Sequence, residues 1–166
     1  MPMVIIQADA MAMSAAPTRP SPRPDFPESR AAGWVLRAEL NEGAMQGERA
    51  VGKRILVAED EFYVALFVEE TLQSLGCTIL GPFPDLAEAT EVATREQVDA
   101  AVLDIHLRDD EMVYPLAEYL FRHGIPFVFT TGYAAKDVPE QFRVFECLRK
   151  PVSPTALKQV VHRMLN

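Results

Sequence analysis

Five short apolar runs, each followed by a polar or amphipathic stretch, predict an open α/β sheet of parallel strands for residues 51–166 of this 166-residue chain. Strand and helix patterns alternate five times in about 115 residues, a period that implies right-handed crossovers, a parallel sheet and helices on both faces. Five units are too few to close an eight-stranded barrel, which leaves the doubly wound five-stranded sheet. The composition, 49% apolar and 24% charged, is that of an ordinary globular protein.

The elements read in order as follows. RILVA (Arg54–Ala58) is a first buried strand, and Glu59-Asp60-Glu61 opens an amphipathic helix, FYVALFVEETLQSLG, that closes at Gly76. Cys77–Leu80 is a second strand, stopped by GPFP. Leu86–Gln97 is a helix with Asp85 as its N-cap. Asp99–Ile105 contains the third strand, AAVLDI. The helix after it runs to about Arg122 and ends at Gly124, with Pro115 in the first turn where proline is tolerated. Pro126–Thr130 is a fourth strand, Lys136–Phe142 a short helix interrupted by Pro139, and Phe145–Leu148 a fifth strand. Ser153 caps a last helix that carries Pro154 at its first position.

Residues 1–50 differ from the rest. They hold 6 of the 13 prolines but only two aromatics, Phe26 and Trp34. The Pro-, Ser- and charge-rich run PTRPSPRPDFPES (Pro17 to Ser29) reads as disordered or polyproline-like, and Ser29 to Asn41 as at most a marginal helix. The division expected is therefore an irregular extension over 1–50 and one domain over 51–166. With the chain ending on its last helix, no effector domain is expected after it, nor is one expected within the 50 largely irregular residues at the N-terminus.

Charge and cysteine content narrow the function. The formal net charge is −8, and −7 of it falls in residues 51–166, which disfavours direct DNA binding. No apolar run approaches the length of a membrane span, and the opening MPMVIIQADA lacks the basic start of a secretory signal. Two cysteines make neither a disulfide framework nor a zinc pattern, so a cytoplasmic location is expected.

Ligands of open α/β sheets bind beyond the carboxyl ends of the strands, near the point where strand order reverses. The polar residues there are Glu59 and Asp60 after strand one, Asp104 at the end of strand three, Thr131 and Gly132 after strand four, and Lys150 after strand five. In the order 2-1-3-4-5, strands one and three are neighbours and the three carboxylates meet. Crowded carboxylates repel one another unless a cation intervenes, and oxygen-only ligands suit Mg²⁺. A lysine and a hydroxyl beside them are groups that hold phosphoryl oxygens, and a carboxylate can accept a phosphoryl group covalently.

The motifs ILVAEDE, AAVLDIHL, FVFTTGY and LRKP resemble those of the receiver domain of two-component response regulators over roughly Lys53 to Leu165. FTTGY (Phe129 to Tyr133) is similar to the signature of the FATGUY group of receivers. The resemblance implies a flavodoxin-like fold, Asp104 as phospho-acceptor, and Glu59, Asp60 and Asp104 with the main-chain carbonyl of His106 as the Mg²⁺ site. It implies Thr131 as switch hydroxyl, Lys150 as phosphate-binding lysine, and a cis Lys150–Pro151 bond. The implied partners are a histidine kinase or histidine phosphotransfer protein and a downstream protein. The implied state is a monomer or a phosphorylation-dependent dimer that catalyses its own phosphorylation and dephosphorylation. Two departures stand out. Cys147 occupies the strand-five position where many receivers have an aromatic, and Arg108-Asp109 replaces a common Pro-Gly. Tyr133 is a candidate to take over part of the switching.

Each motif also has an ordinary reading. Acids favour helix N-termini, Asp and Thr-Gly favour turns, and Lys-Pro is common in surface loops. Their coincidence at one sheet edge is what favours a site. Glu61 stays a helix-start residue, Asp109, Asp110 and Glu111 a solvated helix start, and His123 and His162 surface residues. Two rivals remain: an unphosphorylated pseudo-receiver, and a haloacid-dehalogenase-type phosphatase. The latter is opposed by His106 where that family has a second aspartate.

Overall fold

The computed structural model describes residues 50–132 and 138–166. Among them are β1 (Arg54–Ala58), α1 (Phe62–Gln73), β2 (Thr78–Phe83), α2 (Leu86–Arg95), β3 (Ala100–Asp104), α3 (Tyr114–Arg122), β4 (Phe127–Thr131), β5 (Cys147–Arg149) and α4 (Pro154–Met164). The five strands form one parallel sheet in the order β2-β1-β3-β4-β5, the flavodoxin-like order expected from the sequence. Chain direction across the sheet reverses at β1, whose neighbours are β2 and β3. The polar residues identified at strand ends therefore meet at the middle of one edge.

Strand alternation divides the core in two. Ala101, Leu103, Phe127 and Phe129 face α2 and α3 with Ala89, Leu116 and Leu120, while Val57, Val102 and Val128 face α1 and α4 with Leu72, Leu157 and Val161. Every residue of β3 and β4 is buried, as expected for central parallel strands covered on both faces. Each fully buried leucine or valine contributes about 1.5–3 kcal/mol, which makes these strands the rigid floor of the edge above them.

The helices start where the sequence signals a start. Asp85 caps α2 by accepting from the Glu88 N–H at 2.9 Å, and Ser153 accepts from the Ala156 N–H at 3.5 Å with Pro154 opening α4. Pro115 lies in the first turn of α3.

Three elements differ from expectation. Arg108–Asp110 form a 3-10 turn separate from α3, so Asp109, Asp110 and Glu111 precede that helix rather than start it. β2 does not stop at Leu80 but continues through Gly-Pro to Phe83, because the register slips between Leu56–Leu80 and Ala58–Phe83. Gly81 takes φ +105, and a Cβ there would meet Val57 O at 2.6 Å, so only glycine permits the bulge. Proline is tolerated after it because β2 is an edge strand. The helix expected over 136–142 is replaced, where described, by a single 3-10 turn, Glu140–Phe142, started by Pro139.

Residues 1–49 and 133–137 lie outside the described residues, so the expectations for the N-terminal extension and for Tyr133 fall there. Cys77 and Cys147, at the two edges of the sheet, are both free thiols. No helix among the described residues is long and apolar enough to cross a membrane.

Candidate functional site

Glu59 leaves β1 with its N–H bonded to the Phe83 carbonyl at 2.9 Å, so the bulged tail of β2 sets its position. Its side chain is buried. Oε1 accepts from the Glu61 N–H at 3.1 Å and from Lys150 Nζ at 2.8 Å. Asp104, the buried last residue of β3, accepts Lys150 Nζ on Oδ2 at 2.7 Å and, more distantly, the His106 N–H on Oδ1 at 3.4 Å. Lys150 is held from below as well: its main-chain N–H donates to the Thr131 carbonyl at 2.8 Å. The Lys150–Pro151 bond is cis, as the resemblance implies, and Gly81–Pro82 is cis too.

The structure thus brings Glu59, Asp104 and Lys150 into direct contact. Asp60 is exposed beside them, and one carboxylate oxygen each from Glu59, Asp60 and Asp104 lies within 4.8 Å of the others. Thr131 is buried at the end of β4, one residue beyond the Asp104–Thr130 pair. His106 follows two residues after Asp104 and directs its main-chain N–H at Asp104 Oδ1.

One contact was not expected from sequence. Glu61 does occupy the N-cap of α1, but it makes no side-chain cap bond there, and its carboxylate instead reaches Lys150 Nζ at 2.8 Å. Glu61 has extended dihedrals, so it shares a side with Glu59 two residues before it, and both reach the same ammonium.

Charge at the site is unbalanced, because one ammonium serves several carboxylates. Burial, aided by the Asp104 charge, pushes the Glu59 carboxyl up to about 7 against the pull of its Lys150 hydrogen bond. Burial alone would lower the Lys150 ammonium, but hydrogen bonds to Asp104, Glu59 and Glu61 carry it above its ordinary range. The donor set fits a hard cation: it is all oxygen, acidic, open to solvent at Asp60, and could hold a metal.

No family model matches the chain. It is 33% identical to SdrG from Sphingomonas melonis Fr1, with a TM-score of 0.62, covering 70% of this chain and 98% of that one. A structure of SdrG in its BeF3-activated conformation matches at 34% identity and a TM-score of 0.60, with the same coverage. The response regulator PhyR from Brucella abortus is 27% identical with a TM-score of 0.61, covering 72% of this chain and 51% of PhyR. Among curated proteins, the transcriptional regulatory protein PdtaR of Mycobacterium tuberculosis is 25% identical over 114 residues, 69% of this chain. The chain spans 56% of PdtaR, about half the length of the curated relatives it matches. Likeness to SdrG over nearly its whole length, with the strand order observed here, establishes that the chain belongs to the response regulator receiver family.

Proposed function

We propose that residues 51–166 are a phosphorylation switch, a receiver that takes a phosphoryl group on Asp104 from a histidine kinase or histidine phosphotransfer protein. The observation that carries this reading is the set of contacts made by Lys150, which reaches Glu59, Glu61 and Asp104 at 2.7–2.8 Å beside the exposed Asp60. An ammonium bonded to a strand-end carboxylate, with further acids around it, suits transfer of a dianionic group better than a passive ion pair. The BeF3-activated form of SdrG supports a switching role for this fold.

Glu59, Asp60, Asp104 and the His106 main-chain carbonyl would hold Mg²⁺. When bound, it would neutralise negative charge developing on the phosphoryl oxygens. An Asp104 oxygen forms the new bond to phosphorus while the P–N bond to the donor histidine breaks, and the imidazole leaves with that electron pair. Lys150 exchanges its Glu59 and Glu61 contacts for phosphoryl oxygens, and the Thr131 hydroxyl donates to another. Inward movement of Thr131 would shift β4 and the segment after it, which biases the surface of that segment, β5 and α4 between two states.

The donor would approach over α1. Phe62 and Tyr63 are 71% and 83% exposed, and a groove of about 350 Å³ lined by Asp60, Phe62, Leu66, Pro82 and Arg108 opens beside the acids. Large apolar side chains left in solvent beside a reactive carboxylate suit a protein partner. Output passes through protein contacts or the protein serves as a phosphate sink, in the cytoplasm and without direct DNA contact, with residues 1–50 as an extension.

Incubation with acetyl phosphate and Mg²⁺ followed by intact-mass measurement tests the reading. One phosphoryl mass is expected on the wild type and none on Asp104→Asn. An unmodified wild type would leave an interaction module that is not phosphorylated.

A further inference from the structure

One buried polar group beside the site has no part in this mechanism. Thr130 is 1% exposed, and its hydroxyl oxygen is buried with no hydrogen-bond partner among the described residues. It pairs in register with Asp104 on β3 and with Leu148 on β5. Side chains alternate along a strand, so Thr130 shares the face of Val128 and Asp104 that of Val102, both on the α1 and α4 side of the sheet. Registered neighbours on adjacent strands stand side by side, about 5 Å apart. An unspent donor therefore lies next to the carboxylate. Asp104 has capacity for it: Oδ2 holds Lys150 at 2.7 Å, whereas Oδ1 has only the long 3.4 Å contact to the His106 N–H. Valine has the same shape and would avoid burying an unpaired hydroxyl.

We propose that Thr130 is a positioning residue whose hydroxyl, by rotating about χ1, donates to the Asp104 carboxylate as the acyl phosphate breaks down. The inference rests on Asp104 being the phospho-acceptor. In hydrolysis a water oxygen bonds to phosphorus and the P–O bond to Asp104 breaks. The electron pair leaves with the carboxylate, and both water protons end on inorganic phosphate. Negative charge thus returns to the Asp104 oxygens, and a donor aimed at them stabilises the leaving group. Lys150 and Thr131 act on the phosphoryl side; Thr130 acts on the carboxylate side.

The experiment uses the full chain as wild type, Thr130→Val, Thr130→Ala and Thr130→Ser. Each is loaded with acetyl phosphate and Mg²⁺, freed of donor, and followed by intact mass, with a thermal melt alongside. Thr130→Val should lengthen the acyl phosphate lifetime by about three- to tenfold, the worth of one hydrogen bond, while melting no lower than wild type. Thr130→Ser should restore the wild-type lifetime. Should the valine protein not fold, Thr130→Ala carries the same expectation. Wild-type lifetimes in the valine or alanine protein overturn the inference, and so does a serine protein as slow as valine, which would make shape rather than the hydroxyl responsible. A wild type that takes no phosphoryl group overturns the Asp104 reading itself, an outcome distinct from a loaded wild type whose valine variant decays at the same rate.

Discussion

Lys150 Nζ lies 2.7 Å from Asp104 Oδ2 and 2.8 Å from Glu59 Oε1, and all three side chains are buried or nearly so. Removing one member of a buried charge cluster leaves the others uncompensated, at a cost of about 3–5 kcal/mol. Lys150→Met should therefore unfold at markedly lower urea concentration than wild type without Mg²⁺. Added Mg²⁺ should restore more stability to the variant than to wild type, because the ammonium no longer competes for the same oxygens. Equal denaturation midpoints for the two proteins would show that the cluster contributes nothing to stability.

Glu61 should behave differently from Glu59 although both contact Lys150. The Glu61 side chain is 62% exposed and that of Glu59 only 2%, and exposed ion pairs contribute about 0–1 kcal/mol. Glu61→Gln is expected to melt close to wild type and to keep its stabilisation by Mg²⁺. Glu59→Gln should lose most of that stabilisation, since a neutral amide replaces a charged oxygen ligand. A melting series against Mg²⁺ concentration distinguishes them.

Much of this site was legible because strand ends in a parallel sheet are fixed by short apolar runs. RILVA, AAVLDI and PFVFT mark their strands to within a residue of the observed ends, and the polar residues at the carboxyl ends must lie on one edge. The extension of β2 past Leu80 was not legible, because GPFP reads as a stop until the bulge at Gly81 is known. Contact between Glu61 and Lys150 joins residues 89 apart, and only the packed sheet determines it. The unpaired state of Thr130 is likewise a property of packing: in sequence it is one of two adjacent threonines.

Asp99 gives the stability a pH dependence. Its carboxylate accepts from the Arg54 N–H at 2.9 Å and from Lys53 Nζ at 3.1 Å. Burial works against the charged form, but these bonds outweigh it and hold the carboxyl below its ordinary value. A depressed folded pKa means that the unfolded chain takes up the proton first. The contribution is thus complete above the unfolded value of about 4 and fades as pH falls through the folded one. Asp99→Asn should be less stable at pH 7 by about 1–2 kcal/mol and converge on wild type in acid. Urea midpoints measured at neutral pH and at the acid end check this, and a constant difference would refute it.

Gly81→Ala should affect the site from a distance. A Cβ at φ +105 would lie 2.6 Å from Val57 O and 2.8 Å from Phe83 N, both main-chain atoms that cannot swing aside. Strain of this kind costs about 1–3 kcal/mol. Because the Phe83 carbonyl holds the Glu59 N–H, relaxing the bulge should also displace Glu59. Lower stability accompanied by weaker stabilisation by Mg²⁺ is expected, whereas lost stability alone would mean that the bulge does not position the acid.

Phe142 anchors the 3-10 turn before β5 to the core. It is 2% exposed, stacks on Tyr114 with ring centroids 4.5 Å apart, and meets Phe129 edge-on at 6.0 Å. The register pairs Phe129 with Cys147, so a small side chain on β5 lies beside this aromatic group. Truncating one of its rings opens a cavity that rigid strands cannot close. Phe142→Ala should cost about 3–5 kcal/mol and Phe142→Leu distinctly less. Both should keep Lys150 and Asp104 in place, because the site hangs on β3 and β5 rather than on the turn. Urea denaturation measures the first expectation, and phosphoryl uptake from acetyl phosphate by the folded leucine variant measures the second; loss of uptake there would tie the aromatic group directly to the chemistry at Asp104.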